Sequence, residues 1–182
     1  MKIYTKKGDD GTTGLLFGGR VRKDSPAIEA NGAVDEAQAA LGVARAEAAR
    51  GAELDELLIT LERDLWVLMA ELATAPDNRA KLTPGASLVT AEMVEALEDR
   101  IDDINERFTM PEEFVVPGQN PTAAQLDVAR TVVRRAERLA LAAAPADSQV
   151  VPYLNRLSDL LWTMARWQEG ESLPSRSPNP KE

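Results

Sequence analysis

The chain has 182 residues, 28% of them charged and 44% hydrophobic, with a net charge of −9 and a pI near 4.7. It contains no cysteine and no histidine, which excludes disulfides, thiolate nucleophiles, Cys/His metal sites and histidine acid–base catalysis. The acidity argues against a nucleic-acid partner. The length predicts one domain with a sizeable core. No stretch reaches membrane-spanning length, and Met1–Lys7 is not followed by the apolar run of a signal peptide, so no membrane association and a cytoplasmic location are expected.

Residues 1–24 read as a separate head. The stretch "YTKKGDDGTTGLLFGG" places glycines at 8, 11, 14, 18 and 19 and shows no hydrophobic period. Residues 1–23 carry six Lys or Arg against two Asp, a local balance of +4 that leaves −13 for the remainder. Backbone N–H groups at such glycines can turn toward phosphate oxygens. Thr5, Thr12 and Thr13 add hydroxyl donors, and Lys6 and Lys23 add charge. A flexible N-terminal arm has the same composition, and the Walker spacing is absent. A basic head on an acidic body points to a small anionic ligand rather than a polyanion.

Ser25-Pro26 predicts the start of helix one, with Ser25 as N-cap, running to about Arg50, where Gly51 stops it. Asn31, Asp35, Ala39, Gly42 and Ala46 share one of its faces. These small residues admit a close neighbour, with Asp35 placed to pair with an arginine there or to stay solvated. Helix two is expected from Glu53 to Thr74, where Leu54, Leu57, Leu58, Leu61, Leu65, Leu68, Met69 and Leu72 recur at helical spacing. Residues 77–88, with Pro84-Gly85, read as a loop. Thr90 caps helix three, which ends near Phe108. "FVVPGQNP" is extended and turn-like. Asn120-Pro121 opens helix four, which runs to about Ala144. Helix five spans about 151–168, and residues 170–182 read as a disordered, proline-rich tail. With no strand of note, the expected fold is all-α: a five-helix bundle over residues 25–169 with a glycine-rich N-terminal loop.

On helix four, Arg130, Arg134 and Arg138 step round by about 40° each and lie off the apolar side. Like charges four residues apart repel. The row therefore calls for phosphate or for acids on a neighbour, a plain solvated face being the simpler alternative. On helix five, Asn155, Asp159, Trp162 and Arg166 form a second polar stripe.

Read together, "YTKKGDDGTTGLLFGGRVRKD", "VDEAQAALGVARAE", "FVVPG", "ARTVVRRAER" and "LNRLSDLLWTMAR" stand in order from Ile3 to about Gln168. This set resembles the ATP:cob(I)alamin adenosyltransferases of the trimeric, five-helix type. The resemblance implies a homotrimer with sites between subunits. It also implies a reaction in which reduced cobalamin attacks the 5′ carbon of ATP and expels triphosphate. Thr5, Lys6, Lys7, Gly8, Thr13, Gly14 and Lys23 would contact ATP, as would Arg134, Arg135, Glu137, Arg138 and Asn155. Asp35 and Arg130 would form an ion pair across the subunit interface, and these two with Arg134 are the catalytic candidates. Phe114 would lie near the corrin face and keep cobalt's lower position empty. Mg2+ would accompany ATP, and a cobalt reductase and an adenosylcobalamin-dependent enzyme would be partners. Cobalt(I) is itself a strong nucleophile, so the missing histidine is no obstacle.

The chain departs from the family pattern in four places. Gly14 replaces a Ser or Thr, "VDEAQAA" replaces "VDELNSA", Asp127 stands where many members have a histidine, and "PGQNP" lacks a second glycine. Two other readings are a helical ATP- or corrinoid-binding carrier or sensor without turnover, and a trimeric scaffold. The head and the arginine row disfavour the scaffold.

Overall fold

The structure is a computed structural model and describes residues 4–176. Five α-helices carry the fold among these residues: α1 (Pro26–Glu47), α2 (Glu53–Leu72), α3 (Ala91–Arg107), α4 (Pro121–Ala140) and α5 (Val150–Glu169). The predicted helices are all present, with ends differing by a few residues. A 3-10 turn, Pro76–Lys81, occupies part of the expected loop. None of the helices is long and apolar enough to cross a membrane.

α1 packs on α4 and α2, α4 on α5, and α3 on α5. Their apolar stripes close on one core built from Leu41, Leu58, Leu65, Leu126, Leu157 and Leu161, all fully buried. Alanines 30, 33, 37 and 44 of α1 and 129, 136 and 140 of α4 are also buried, which brings these two helices close together. At about 25 cal/mol per Å² of buried apolar surface, this core is the main favourable term of the fold.

Helix starts follow two routes. Asn120 caps α4, its side-chain oxygen accepting from Ala123 N at 2.9 Å, and its Nδ2 donates to Gln168 O at 2.8 Å. One residue thereby fixes the start of α4 against the end of α5. Ser25 sits at the N-cap of α1 but makes no side-chain cap bond. Its backbone carbonyl instead accepts from Ile28 N and Glu29 N at 3.0 and 2.9 Å, and its hydroxyl is buried without a partner.

Two short antiparallel ladders correct the expectation of no strands. In the head, β1 (Thr12–Gly14) pairs with β2 (Arg20–Arg22), with Thr13 opposite Val21. The five-residue connection turns through Phe17, Gly18 and Gly19, all at positive φ, where glycine avoids the Cβ clash that Phe17 must bear. Leu16 N donates to Ala73 O at 2.8 Å, which docks the hairpin on the end of α2. Farther along, β3 (Val115–Val116) pairs with β4 (Leu173–Pro174). Part of the stretch read as a tail is therefore ordered by pairing, and residues 177–182 lie outside the described residues.

Candidate active site

Within the head, Arg20 is the organiser. Its Nη2 donates to Thr12 Oγ1 at 2.6 Å and to Lys7 O at 2.6 Å, and its Nε reaches Thr12 Oγ1 at 3.0 Å. Asp10 Oδ1 accepts from both the backbone N and the hydroxyl of Thr12, at 2.9 and 2.7 Å. The Thr12 hydroxyl, followed by its backbone N–H and the charge of Arg20, holds the Asp10 carboxyl below its ordinary pKa. Lys23 folds over Gly8: a Cβ there would lie 3.2 Å from Lys23 Nζ and 3.3 Å from Thr12 O. Gly14 has open space around it, so packing does not dictate its lack of a side chain. Thr5 Oγ1 accepts from Lys7 N at 3.4 Å, and Lys6 adopts a positive φ of 60°.

The head sits at the end of the bundle where α1 and α5 begin and α2 and α4 finish. Leu15 and Val21 of the hairpin close a cavity of about 230 Å³ there with Ala27, Leu72, Ala143 and Ser148. Beneath it, the buried Glu71 carboxylate accepts from Ser148 Oγ at 2.6 Å, from Val89 N at 2.8 Å and from both terminal nitrogens of Arg79 at 3.2 Å. Both oxygens of this buried acid thus have donors, three on Oε1 and one on Oε2.

Three of the four arginines of α4 have acidic answers inside the chain. Arg134 Nη1 lies 2.9 Å from Glu137 Oε2, and Asn155 Nδ2 on α5 donates to Glu137 Oε1 at 3.0 Å. Arg135 pairs with Glu36 of α1, and the Glu36 carboxylate raises the arginine's pKa. Arg130 Nε donates to Asp127 Oδ1 at 3.1 Å. Arg138 is exposed and makes no ion pair among the described residues. Asp35 is exposed and borders an open groove of about 550 Å³ between α1 and α2, with Gly42, Arg45, Glu62, Arg63 and Trp66. Asp35 and Arg130 do not pair within one chain, and no hydrogen bond or ion pair joins residues 5–23 to Arg130, Arg134, Arg138 or Asn155 among the described residues.

Phe114 projects into solvent, 87% exposed. It borders a cavity of about 460 Å³ with Pro111, Glu112, Glu113, Trp162, Ser175 and Arg176. The stripe expected on α5 is corrected at one position. Asn155 and Asp159 are exposed, but Arg166 is buried at 1% exposure. Two carboxylates, Asp127 at 2.6 Å and Glu169 at 2.9 Å, neutralise it there. Sequence reasoning also missed Arg20. Its alternation with Arg22 about Val21 was the available signal for a strand, too short at three residues to stand out.

Fold and site define a helical bundle that presents a basic hairpin at one end, a row of arginines on α4 and a cavity bordered by Phe114 and Trp162. The cobalamin adenosyltransferase family model matches residues 3–168. A corrinoid adenosyltransferase of Citrobacter freundii is 42% identical over 171 residues, covering 92% of this chain and 95% of the relative. One of Mycobacterium bovis is 41% identical, covering 91% and 87%. Among solved structures, a variant PduO-type ATP:corrinoid adenosyltransferase of Lactobacillus reuteri complexed with cobalamin and ATP superposes with a TM-score of 0.85 at 28% identity, covering 97% of this chain and 100% of that one. A second variant of that enzyme, complexed with ATP, gives 0.82 at 27% identity, covering 96% and 100%. The chain belongs to the cobalamin adenosyltransferase family.

Proposed function

We propose that this protein is an ATP:corrinoid adenosyltransferase, moving the 5′-deoxyadenosyl group of ATP to the cobalt of reduced cobalamin and releasing triphosphate. The observation that carries the reading is the family match over residues 3–168, together with a bundle whose head and α4 supply lysines and arginines for a polyphosphate. The relatives' structures with both ATP and cobalamin bound support it over a carrier or sensor.

Cobalt(I) donates an electron pair to C5′, the cobalt–carbon bond forms, and the C5′–O bond breaks with its pair on the triphosphate. Cobalt ends formally as cobalt(III), and no proton needs to move. The protein's work is placement and charge neutralisation in a dry site. Thr5, Lys6, Lys7, Gly8, Thr13, Gly14 and Lys23 of the head, with Arg134, Arg135, Glu137, Arg138 and Asn155, hold ATP. Phe114 meets the corrin face and blocks cobalt's lower position. No group of three or more Asp, Glu, His or Cys side chains among the described residues is arranged to hold a metal ion. A Mg2+ would therefore be held chiefly by phosphate oxygens and water, where it would neutralise charge on the leaving triphosphate.

Asp35 borders the groove between α1 and α2, Arg130 lies on Asp127 of α4, and the two do not pair within one chain. Repeated head-to-tail contact between two such faces closes into a ring, so we place the site between subunits of a homotrimer with Asp35 and Arg130 paired across it. The decisive assay is anaerobic: protein, ATP, Mg2+ and chemically reduced cobalamin. Adenosylcobalamin and triphosphate should appear in equal amounts. Binding of both substrates without product would favour a carrier.

A further inference from the structure

Behind the Phe114 cavity runs a line of four charges. Asp127 on α4 is 6% exposed, and both its carboxylate oxygens are engaged. Oδ1 accepts from Arg130 Nε at 3.1 Å and Oδ2 from Arg166 Nη2 at 2.6 Å. The same Arg166 nitrogen donates to Glu169 Oε1 at 2.9 Å, and Glu169 Oε2 accepts from Ser172 Oγ at 2.9 Å. The Arg166 guanidinium lies 5.7 Å from the centre of the Trp162 ring, within cation–π range. Trp162 is a wall of the cavity that Phe114 borders.

Two arginines and two acids balance, so no net charge is buried. The geometry constrains more than charge. A single short carboxylate receives a half-exposed arginine on one oxygen and a buried one on the other. If the Asp127 carboxylate turns, both guanidinium groups lose their alignment together. One end of this line is Arg130, one helical turn before Arg134 and placed by the proposed function at the subunit contact that carries the ATP site. The other is Trp162, on the corrinoid side.

We propose that Asp127 is a positioning residue that aligns Arg130 for ATP and, through Arg166, the Trp162 wall for the corrinoid, an inference that rests on the transferase reading. One carboxylate thereby sets the geometry of both substrate sites. Asp127→Asn keeps the size but turns one acceptor oxygen into a donor facing an arginine. Arg166→Lys keeps the charge but loses the flat face against Trp162.

The test compares wild type, Asp127→Asn, Asp127→Glu and Arg166→Lys as full chains. Circular dichroism and light scattering establish fold and assembly, calorimetry gives the Kd for ATP and for hydroxocobalamin, and the anaerobic assay gives kcat. For Asp127→Asn both Kd values should rise at least threefold together and kcat should fall at least tenfold, with assembly unchanged. Asp127→Glu should recover part of both. Arg166→Lys should weaken hydroxocobalamin binding at least threefold and ATP less than twofold. The proposal is overturned if folded Asp127→Asn stays within twofold of wild type for both ligands, or if only one ligand is affected. Should Asp127→Asn fail to fold, Arg166→Lys decides: equal weakening of both ligands, or of neither, overturns it. A wild type that binds both ligands without turnover overturns the transferase reading alone, since the two Kd values still decide the role of Asp127.

Discussion

Asn155 on α5 and Glu137 on α4 meet side chain to side chain, with Nδ2 donating to Oε1 at 3.0 Å, while Arg134 approaches the other oxygen of the same carboxylate at 2.9 Å. Glu137 thus holds an arginine and an amide in register on two adjacent helices. If this cluster faces the triphosphate, Arg134→Ala removes charge-assisted contacts worth about 2 kcal/mol, or roughly a thirtyfold loss in kcat/KM for ATP. Arg134→Lys should recover only part, because an ammonium lacks the planar fork. Steady-state kinetics at varied ATP checks this, and an unchanged kcat/KM removes Arg134 from the site.

The Asp35–Arg130 pairing is open to a charge-reversal test. If the proposed subunit contact joins them, Asp35→Asn or Arg130→Ala should lower activity strongly: the first leaves Arg130 to Asp127 alone, and the second leaves Asp35 without a cation at that contact. The double variant Asp35→Arg with Arg130→Asp should recover trimer mass by light scattering but little turnover. A wild type that is monomeric and active would show that the two residues never meet.

The head is docked by few backbone bonds and has little apolar burial, which places it at the low-stability end of the molecule. Amide hydrogen exchange in residues 5–23 should be fast in the free protein and slow by more than tenfold with ATP and Mg2+ present. Equal protection in both states would mean that the hairpin is part of the rigid body.

The Glu71 knot is structural. It ties α2 to Arg79, to Val89 and to Ser148 ahead of α5. Glu71→Ala strands a part-buried arginine, a buried hydroxyl and a buried backbone N–H, and should cost about 3 kcal/mol in urea unfolding. A change below about 1 kcal/mol would mean that water or relaxed neighbours replace the carboxylate.

Tyr153 is fully buried, its hydroxyl donating to Asp64 Oδ2 at 2.8 Å. Burial, followed by the charge and hydrogen bond of Asp64, pushes the phenol well above its ordinary pKa. Burial also raises the Asp64 carboxyl, partly offset by the Tyr153 hydrogen bond. A folded-state pKa above the unfolded one gives stability that is intact below the unfolded value, about 10, and is lost as pH rises beyond it. Urea midpoints measured from pH 8 to 11.5 should fall above pH 10 more steeply in wild type than in Tyr153→Phe. Parallel curves would mean that Tyr153 ionises without opposing the fold.

The helices were legible because each carries an apolar stripe long enough to show its period: α2 repeats leucine through Leu54, Leu58, Leu61, Leu65, Leu68 and Leu72. The head's β-structure was not, because three-residue strands show no usable alternation, and Arg20 steadies this hairpin through contacts to Thr12 and to the backbone of Lys7. Arg166 misled because its spacing matched a polar stripe. Its burial depends on Asp127, 39 positions earlier, and no local pattern carries that pairing. The arginine row was read as calling for phosphate or for acids on a neighbour; two of its members instead meet acids of their own helix, Arg134 at Glu137 and Arg130 at Asp127, which spacing alone could not apportion.

The two-residue ladder between Val115–Val116 and Leu173–Pro174 makes the end of the described chain a splint for the Phe114 turn, and Ser175 N adds a 2.7 Å bond to Phe114 O. A protein shortened to Gly170 would lose that splint while keeping every residue of the bundle. Its Val115–Val116 edge, with Val116 already 42% exposed, would stand open to strand addition from another molecule. Such a trimmed protein should stay helical yet be more prone to aggregate, and its Phe114 would sample many orientations.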